Sequence, residues 1–288
     1  MTAGERRQVV QKVCAAQGVS ERKAIRWTGF PRSTMRYRSR RPEQALLRER
    51  IRAHATDRPR WGYRRIHVLL QREGWTVNRK RVYRLYRLES LSVRRKGKRR
   101  RSQAPRPVRV APQQPDQRWC LDFVSDTLSN GRTFRCLAVL DEFTRKCLEV
   151  HVAHSIPSLR VIEVLERLRD ERGLPEILIS DNGSEFTNRV FDAWAYNRGV
   201  KLSYVQPGKP MQNAYIESFN GSFRDECLNL HWFGSLADAR EVIEEYRQDY
   251  NQVRPHSSLL GRTPAEWAEI QSGCVAPLAT PESWTVTE

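Results

Sequence analysis

The sequence predicts an α/β protein: a mixed β-sheet with helices on its faces, preceded by basic all-α modules. Three observations predict it. The first is charge. Of 288 residues, 51 are Lys or Arg and 33 are Asp or Glu, a formal net charge of +18. Residues 1–110 hold 33 basic and 7 acidic side chains, whereas residues 111–288 hold 18 and 26. A cationic front on a mildly acidic remainder suggests a polyanion-binding part joined to one with a different task. The second is helical periodicity, with an apolar stripe and basic faces, confined to residues 5–93. The third is three closely spaced β-rich segments after residue 117, followed by alternating helix and strand.

Residues 5–38 read as three short helices. Val9, Val10 and Val13 give an apolar stripe that Gly18 breaks; Ser20 is placed to cap a second helix carrying Ala24, Ile25 and Trp27. Gly29 ends that helix, and Pro31 opens a short basic segment with Arg32 and Arg36. Helix, turn and short basic helix make a helix-turn-helix over residues 1–42, whose last helix would enter a major groove. A basic helical cap that touches nothing is the alternative, and the overall charge favours the former.

Residues 43–93 read as a second helical DNA-binding module. Leu46, Leu47 and Ile51 begin it, Trp61-Gly62-Tyr63 interrupts it, and Ile66, Leu69 and Leu70 continue it. Asn78 is placed to cap a helix over 79–89, with Val82, Leu85 and Tyr86 on one side and Lys80, Arg84 and Arg87 on another. Cations at such density suit phosphate contact, which releases counterions and makes affinity fall steeply with salt. Residues 94–116, a run of Arg and Lys followed by four prolines, repel themselves and read as a linker.

From Arg118 the pattern turns to strands over 118–126, 132–140 and 146–153, the first two joined as a hairpin by Ser129-Asn130-Gly131. Helices fit 158–172, 187–198 and 212–228, and strands fit 176–180 and 201–205. The core is expected over 117–228. Two more helices, about 236–250 and 264–271, and a tail make up 229–288.

Several classes are excluded or disfavoured. No apolar run is long enough to cross a bilayer. The basic N-terminus lacks an apolar leader segment, so a cytoplasmic protein is expected. Six cysteines (Cys14, Cys120, Cys136, Cys147, Cys227, Cys274) form no C-x-x-C pair, which argues against a structural zinc site or a disulfide framework.

Three carboxylates stand out by position. Asp122 lies mid-strand among apolar residues, Asp181 ends a strand, and Glu217 sits in a helix of mostly uncharged residues. A carboxylate in an apolar strand is costly unless paired, protonated or coordinating a cation. Two divalent ions need oxygen ligands from several rigid elements, which strand, strand end and helix would supply. Taken singly each residue is ambiguous, and Asp126, Asp141, Glu142 and Glu185 have similar credentials.

Spacing separates them. Thirty-five residues lie between Asp181 and Glu217, and Arg224 follows Glu217 by seven, two helical turns on. This pattern resembles the Asp-Asp-Glu transposases and retroviral integrases. The flanking words are narrower: Asp122-Phe123-Val124-Ser125-Asp126, Ser180-Asp181-Asn182-Gly183-Ser184-Glu185-Phe186, and Gln206 through Gly221. With Tyr250-Asn251, Arg254-Pro255-His256-Ser257-Ser258-Leu259 and Thr263-Pro264-Ala265-Glu266, they resemble the OrfB-type insertion-sequence transposases over roughly residues 5–270.

The resemblance implies an RNase H-like catalytic core using two Mg²⁺ (or Mn²⁺) ions held by Asp122, Asp181 and Glu217. It implies DNA as substrate, both the element's terminal inverted repeats and target DNA, with strand cleavage followed by joining. It further implies a homo-oligomer on DNA and an upstream-encoded helix-turn-helix partner or frameshift fusion. Arg224 and Lys209 are expected at DNA phosphates, and Arg254 and His256 are expected as further DNA contacts. Ser222 departs from the pattern, since many relatives carry a basic residue there. Two other readings remain open at this point: a hydrolytic nuclease of the same fold, and a catalytically silent DNA-binding repressor.

Overall fold

The computed structural model describes residues 1, 3–36, 44–93, 111–206 and 213–272. Most of the expected linker, Lys209 and the tail beyond 272 lie outside the described residues. The chain divides into two compact units, Met1–Leu47 and Arg48–Glu288.

In the first unit, α1 (Ala3–Gln17), α2 (Glu21–Thr28) and α3 (Arg32–Arg36) enclose a small core of Val10, Ala24, Ile25 and Met35. Gly29 adopts φ 67° and donates its N–H to the Ile25 carbonyl (3.0 Å), ending α2 as expected. Ser20 precedes α2 in extended conformation, but its side chain makes no capping bond.

The second unit takes most of α4 (Ala45–Asp57), with α5 (Tyr63–Arg72) and α6 (Arg79–Leu88). Ile51, Ile66, Leu70, Val82, Leu85 and Tyr86 are buried, whereas Leu46, expected on the apolar side, is 74% exposed. Asn78 caps α6, its side chain accepting from the Lys80 N–H at 2.8 Å.

The sheet has the order β3-β2-β1-β4-β5, with β1 (Arg118–Thr127), β2 (Thr133–Asp141), β3 (Cys147–Ala153), β4 (Ile177–Ser180) and β5 (Lys201–Tyr204). The first three strands are antiparallel neighbours, and β1–β4 and β4–β5 are parallel, so the sheet is mixed. Gly131, at φ 83°, donates to the Leu128 carbonyl (2.9 Å) and closes the β1–β2 hairpin.

Side-chain alternation along β1 builds two cores. Trp119 and Leu121 join Leu137, Val139 and Leu178 under α7 (Ser158–Arg172) and α8 (Arg189–Asn197). Cys120 and Val124 join Cys136, Ala138 and Ile179 under α9 (Ala214–Glu226) and α10 (Leu236–Gln252). From α9, the residues Ile216, Phe219 and Phe223 sit in this second core, and their spacing fixes the helix's rotation about its axis.

The end of α10 and the segment after it pack onto the core. Asn251 is 4% exposed and mimics a strand backbone, donating to the Cys147 carbonyl (2.8 Å) and accepting from its N–H (2.9 Å). Thr263 and Glu266 form a reciprocal capping box at the start of α11 (Pro264–Gln271). The five described cysteines are free, four of them buried. Among the described residues no helix is long and apolar enough to cross a membrane.

Candidate active site

The parallel register of β1 and β4 pairs Arg118 with Ile177, Trp119 with Leu178 and Cys120 with Ile179. That offset of 59 is also the separation of Asp122 from Asp181. Carried two residues past the last pair, the same offset sets Asp122 beside Asp181, which lies just beyond the end of β4. Both share the parity of Cys120 and Ile179, whose side chains face α9.

The third carboxylate arrives on that helix. Asn220, one turn after Glu217, donates its Nδ2 to Asp122 Oδ2 at 2.8 Å. Residues three apart share a helix face, so Glu217 is carried to the same side as Asp122. Asp122 Oδ1 also accepts from the Phe123 N–H at 2.8 Å. Gly183 donates its N–H to Asp181 Oδ1 (3.1 Å), and a Cβ at Gly183 would lie 3.0 Å from that oxygen. A side chain at this position would crowd the carboxylate and force it to shift by a few tenths of an ångström.

Asp122 is half-buried, whereas Asp181 and Glu217 are exposed. Burial pushes the Asp122 carboxyl up to about 6, and the nearby Asp181 and Glu217 charges add to the rise. The Phe123 and Asn220 hydrogen bonds oppose it. Three carboxylates that sense one another around a partly desolvated centre form an all-oxygen donor set, which suits hard cations such as Mg²⁺ or Mn²⁺. Among the described residues, no three Asp, Glu, His or Cys side chains are drawn to ligating distance of one ion, so the grouping is electrostatic.

A raised carboxyl means that the fold disfavours the charged form. In cation-free buffer, this group costs stability as pH rises from the ordinary range near 4 through about 6. Asp122→Asn is therefore expected to stabilise the fold at pH 7 by about 1–2 kcal/mol. Thermal denaturation without divalent ions checks this, and an unchanged or lowered Tm would contradict the reading.

The other acidic candidates are committed elsewhere. Asp141 is fully buried and accepts from the Thr144 N–H (2.9 Å) and hydroxyl. Glu142, 1% exposed, lies 3.9 Å from Arg118. Glu185 pairs with Arg135, whose guanidinium lies 4.1 Å from the Phe123 ring centroid. Asp126 lies four residues further along β1 and accepts from the Thr127 N–H at 2.8 Å.

The predicted DNA contacts fall into two groups. Arg224 is exposed near the end of α9; Arg32 and Arg36 are exposed on α3; Lys80 and Arg87 are exposed on α6, with Arg84 half-buried between them. Arg254 and His256 instead lie inside the fold, at 5% and 7% exposure, which corrects the expectation that they reach DNA. Arg254 grips Glu226 through Nε (2.7 Å) and Nη2 (2.8 Å) and donates Nη2 to the Ser222 hydroxyl (2.9 Å). His256 packs edge-on against Tyr250 at 4.7 Å, and burial and Arg254 push its imidazole down to about 3. Groups so placed tie elements of the fold together.

Sequence reasoning passed over Asn220 and Glu226. The signal for Asn220 was its position one turn after Glu217. Glu226 gave none beyond being a helix-end acid; only the fold brings Arg65 (2.8 Å), the Trp61 indole N–H (3.0 Å) and Arg254 to it.

Integrase core domain models match residues 112–210 and 198–264, and an HTH-like domain model matches residues 41–99. The chain is 49% identical to an uncharacterized 31.7 kDa protein of insertion element IS407 from Burkholderia multivorans, covering 87% of this chain and 91% of the relative. It is 43% identical to an uncharacterized 39.2 kDa protein of insertion element IS476 from Xanthomonas euvesicatoria, covering 91% and 76%. The fold resembles a chain in the simian T-cell lymphotropic virus intasome structure, with TM-score 0.50 and 14% identity over 83% of this chain and 79% of that one. A mixed five-stranded sheet of this order, an integrase core spanning it and close relatives encoded by insertion elements agree, and the chain belongs to the OrfB-type insertion-sequence transposases of the integrase-like Asp-Asp-Glu superfamily, with an RNase H-like core.

Proposed function

We propose that Asp122, Asp181 and Glu217 are the catalytic and metal-binding set of a DNA transposase. It cleaves a strand at an insertion-element end and joins the freed 3′-hydroxyl to another phosphodiester. The observation that carries this reading is the approach of a mid-strand aspartate and a strand-end aspartate to the face of α9 that bears Glu217, marked by the Asn220–Asp122 hydrogen bond (2.8 Å).

The three carboxylates would hold two Mg²⁺ or Mn²⁺ ions. Bound there, such ions supply Lewis acidity to an attacking water or 3′-hydroxyl and to the leaving 3′-oxygen. The protein's own part is positional. Asn220 and the Phe123 N–H fix the rotation of the Asp122 carboxylate, and the Gly183 N–H fixes that of Asp181. Supporting hydrogen bonds of this kind orient ligating groups before they bind. Arg224, exposed two turns beyond Glu217, is suited to hold a DNA phosphate beside the site. Lys209 is proposed for the same task from sequence alone. No side-chain nucleophile is required.

In this reading residues 1–42 and 43–93 are DNA-binding modules, 94–116 a linker, 117–228 the catalytic core and 229–288 a helical extension and tail. Arg32 and Arg36, with Lys80, Arg84 and Arg87, provide the DNA contacts of the two modules. The chain works as an oligomer on DNA, with an upstream-encoded helix-turn-helix protein supplied separately or as a fusion.

The test is a strand-transfer assay with a labelled duplex carrying the element's terminal repeat, Mg²⁺ and target DNA. Nicked and joined products are expected, and deleting residues 1–100 is expected to remove the preference for end over unrelated duplex. Nicking without joining would make the protein a hydrolytic nuclease, and neither product would leave a DNA-binding repressor.

A further inference from the structure

The catalytic helix has a second exposed side. While Ile216, Phe219 and Phe223 face the sheet, Ser218, Gly221, Ser222 and Asp225 line a cleft of about 680 Å³ on another stripe of α9. Its opposite wall comes from the start of α5, with Tyr63 and Arg64, and its end from Ser257 and Ser258. We infer that this cleft is a phosphate-backbone site for the element-end DNA strand held by the helical unit. The inference rests on the transposase reading above and adds a place on the protein that the carboxylate site does not use.

Charge comes first. Arginines 60, 64, 65 and 254 line the cleft against one lining carboxylate, Asp225. Three are matched within the fold: Arg60 by Asp225, and Arg65 and Arg254 by Glu226. Arg64 is exposed and has no carboxylate partner among the described residues; its Nε reaches only the Tyr63 hydroxyl, at 3.4 Å. A net cationic wall remains, facing the hydroxyls of Ser218, Ser257 and Ser258, all exposed. Cation and hydroxyl donors together suit phosphate oxygens.

The helix end supports the same assignment. The first turn of α5 holds Arg64 and Arg65 and no acid, and Gly62 before it provides no side-chain cap. Cations at the positive end of a helix are unfavourable by themselves. An anion in the cleft offsets them and takes up backbone N–H groups.

Continuity decides which DNA. Tyr63 lies 4.7 Å from Tyr83 of α6, and Arg87 lies over Tyr83 at 5.9 Å. A residue lining the cleft thus touches α6, the helix that carries Lys80, Arg84 and Arg87, within the segment matched by the HTH-like model. A strand lying on α6 reaches the cleft without leaving the protein surface. Target DNA has no such continuity to recommend it.

Two substitutions at separate parts of the lining test this in the full chain: Arg64→Glu, which reverses a charge, and Ser258→Glu, which adds a negative one. Both positions are exposed and outside the proposed catalytic set. Fluorescence anisotropy with end duplex is expected to show affinity weakened about five- to tenfold by each, and a salt slope reduced by about one for Arg64→Glu. Unchanged affinity for end duplex in both variants overturns the inference. Loss confined to Arg64→Glu overturns the cleft and leaves an isolated surface arginine, and loss confined to target duplex overturns the choice of strand. Because binding is read without chemistry, failure here is separate from failure of the transposase reading, which the strand-transfer assay alone decides.

Discussion

Glu217→Gln is expected to abolish strand cleavage and joining while leaving the affinity for end duplex within about twofold. The substitution keeps the size of the side chain and removes one negative charge from the proposed set, which would need that charge to hold divalent ions. Several kcal/mol of transition-state stabilisation should disappear, on the order of a 10³-fold loss in rate or more. Binding should survive because Glu217 is exposed and the cationic surfaces lie elsewhere on the chain. Single-turnover strand transfer and gel shift on the same preparation give both numbers. A variant that still nicks end duplex in Mg²⁺ at the parental rate removes Glu217 from the site.

The second large effect is expected at Glu226. Its carboxylate, with a side chain 9% exposed, binds Arg254, Arg65 and the Trp61 indole. It thus ties the end of α9 to α5 and to the segment after α10. Burial alone would raise this carboxyl, but the two arginines outweigh it and hold it at about 2. Glu226→Ala leaves the 5%-exposed Arg254 without a counter-charge and is expected to cost about 3–5 kcal/mol. Because the folded group titrates below its unfolded value, the stabilisation is complete above about pH 4.5 and is lost as pH falls toward 2. Urea denaturation of both proteins between pH 3 and 7 measures it. A difference below about 1 kcal/mol at pH 7, or one that grows as the pH is lowered, contradicts the assignment.

The strands were legible because their chemistry is local. Alternating apolar residues over 118–126 and 132–140 joined by Asn-Gly leave few other structures, and β1 and β2 follow within a residue or so. The basic faces of α3 and α6 were legible for the same reason, since charge on a helix surface needs nothing from the rest of the fold. Leu46 and Ser20 show the limit. An apolar side chain and a cap residue are permissions, and which neighbours arrive decides whether they are used.

Arg254 and His256 show a deeper limit. In sequence, a polar word such as Arg254-Pro255-His256-Ser257-Ser258 reads as exposed and ready for a phosphate. Whether a cation meets solvent or a buried acid depends on long-range partners, here Glu226 on a helix twenty-eight residues earlier. Glu226 carries nothing in its own surroundings to announce that role.

What the sequence determined by itself was the fold class, the family and the identity of three acids at a particular spacing. Side-chain period, turn residues and the separation of Asp122, Asp181 and Glu217 are all written along one dimension. What only the tertiary structure decided was which acids come near enough to sense one another. The parallel offset of β1 and β4 sets Asp122 beside Asp181, and the packing of Ile216, Phe219 and Phe223 turns Glu217 and Asn220 toward them. Asp141 and Glu142, near-equals of Asp122 on paper, are instead buried against their own partners, Thr144 and Arg118. Register and helix rotation are set by the burial of apolar side chains from distant segments, so they exist only once those segments have come together.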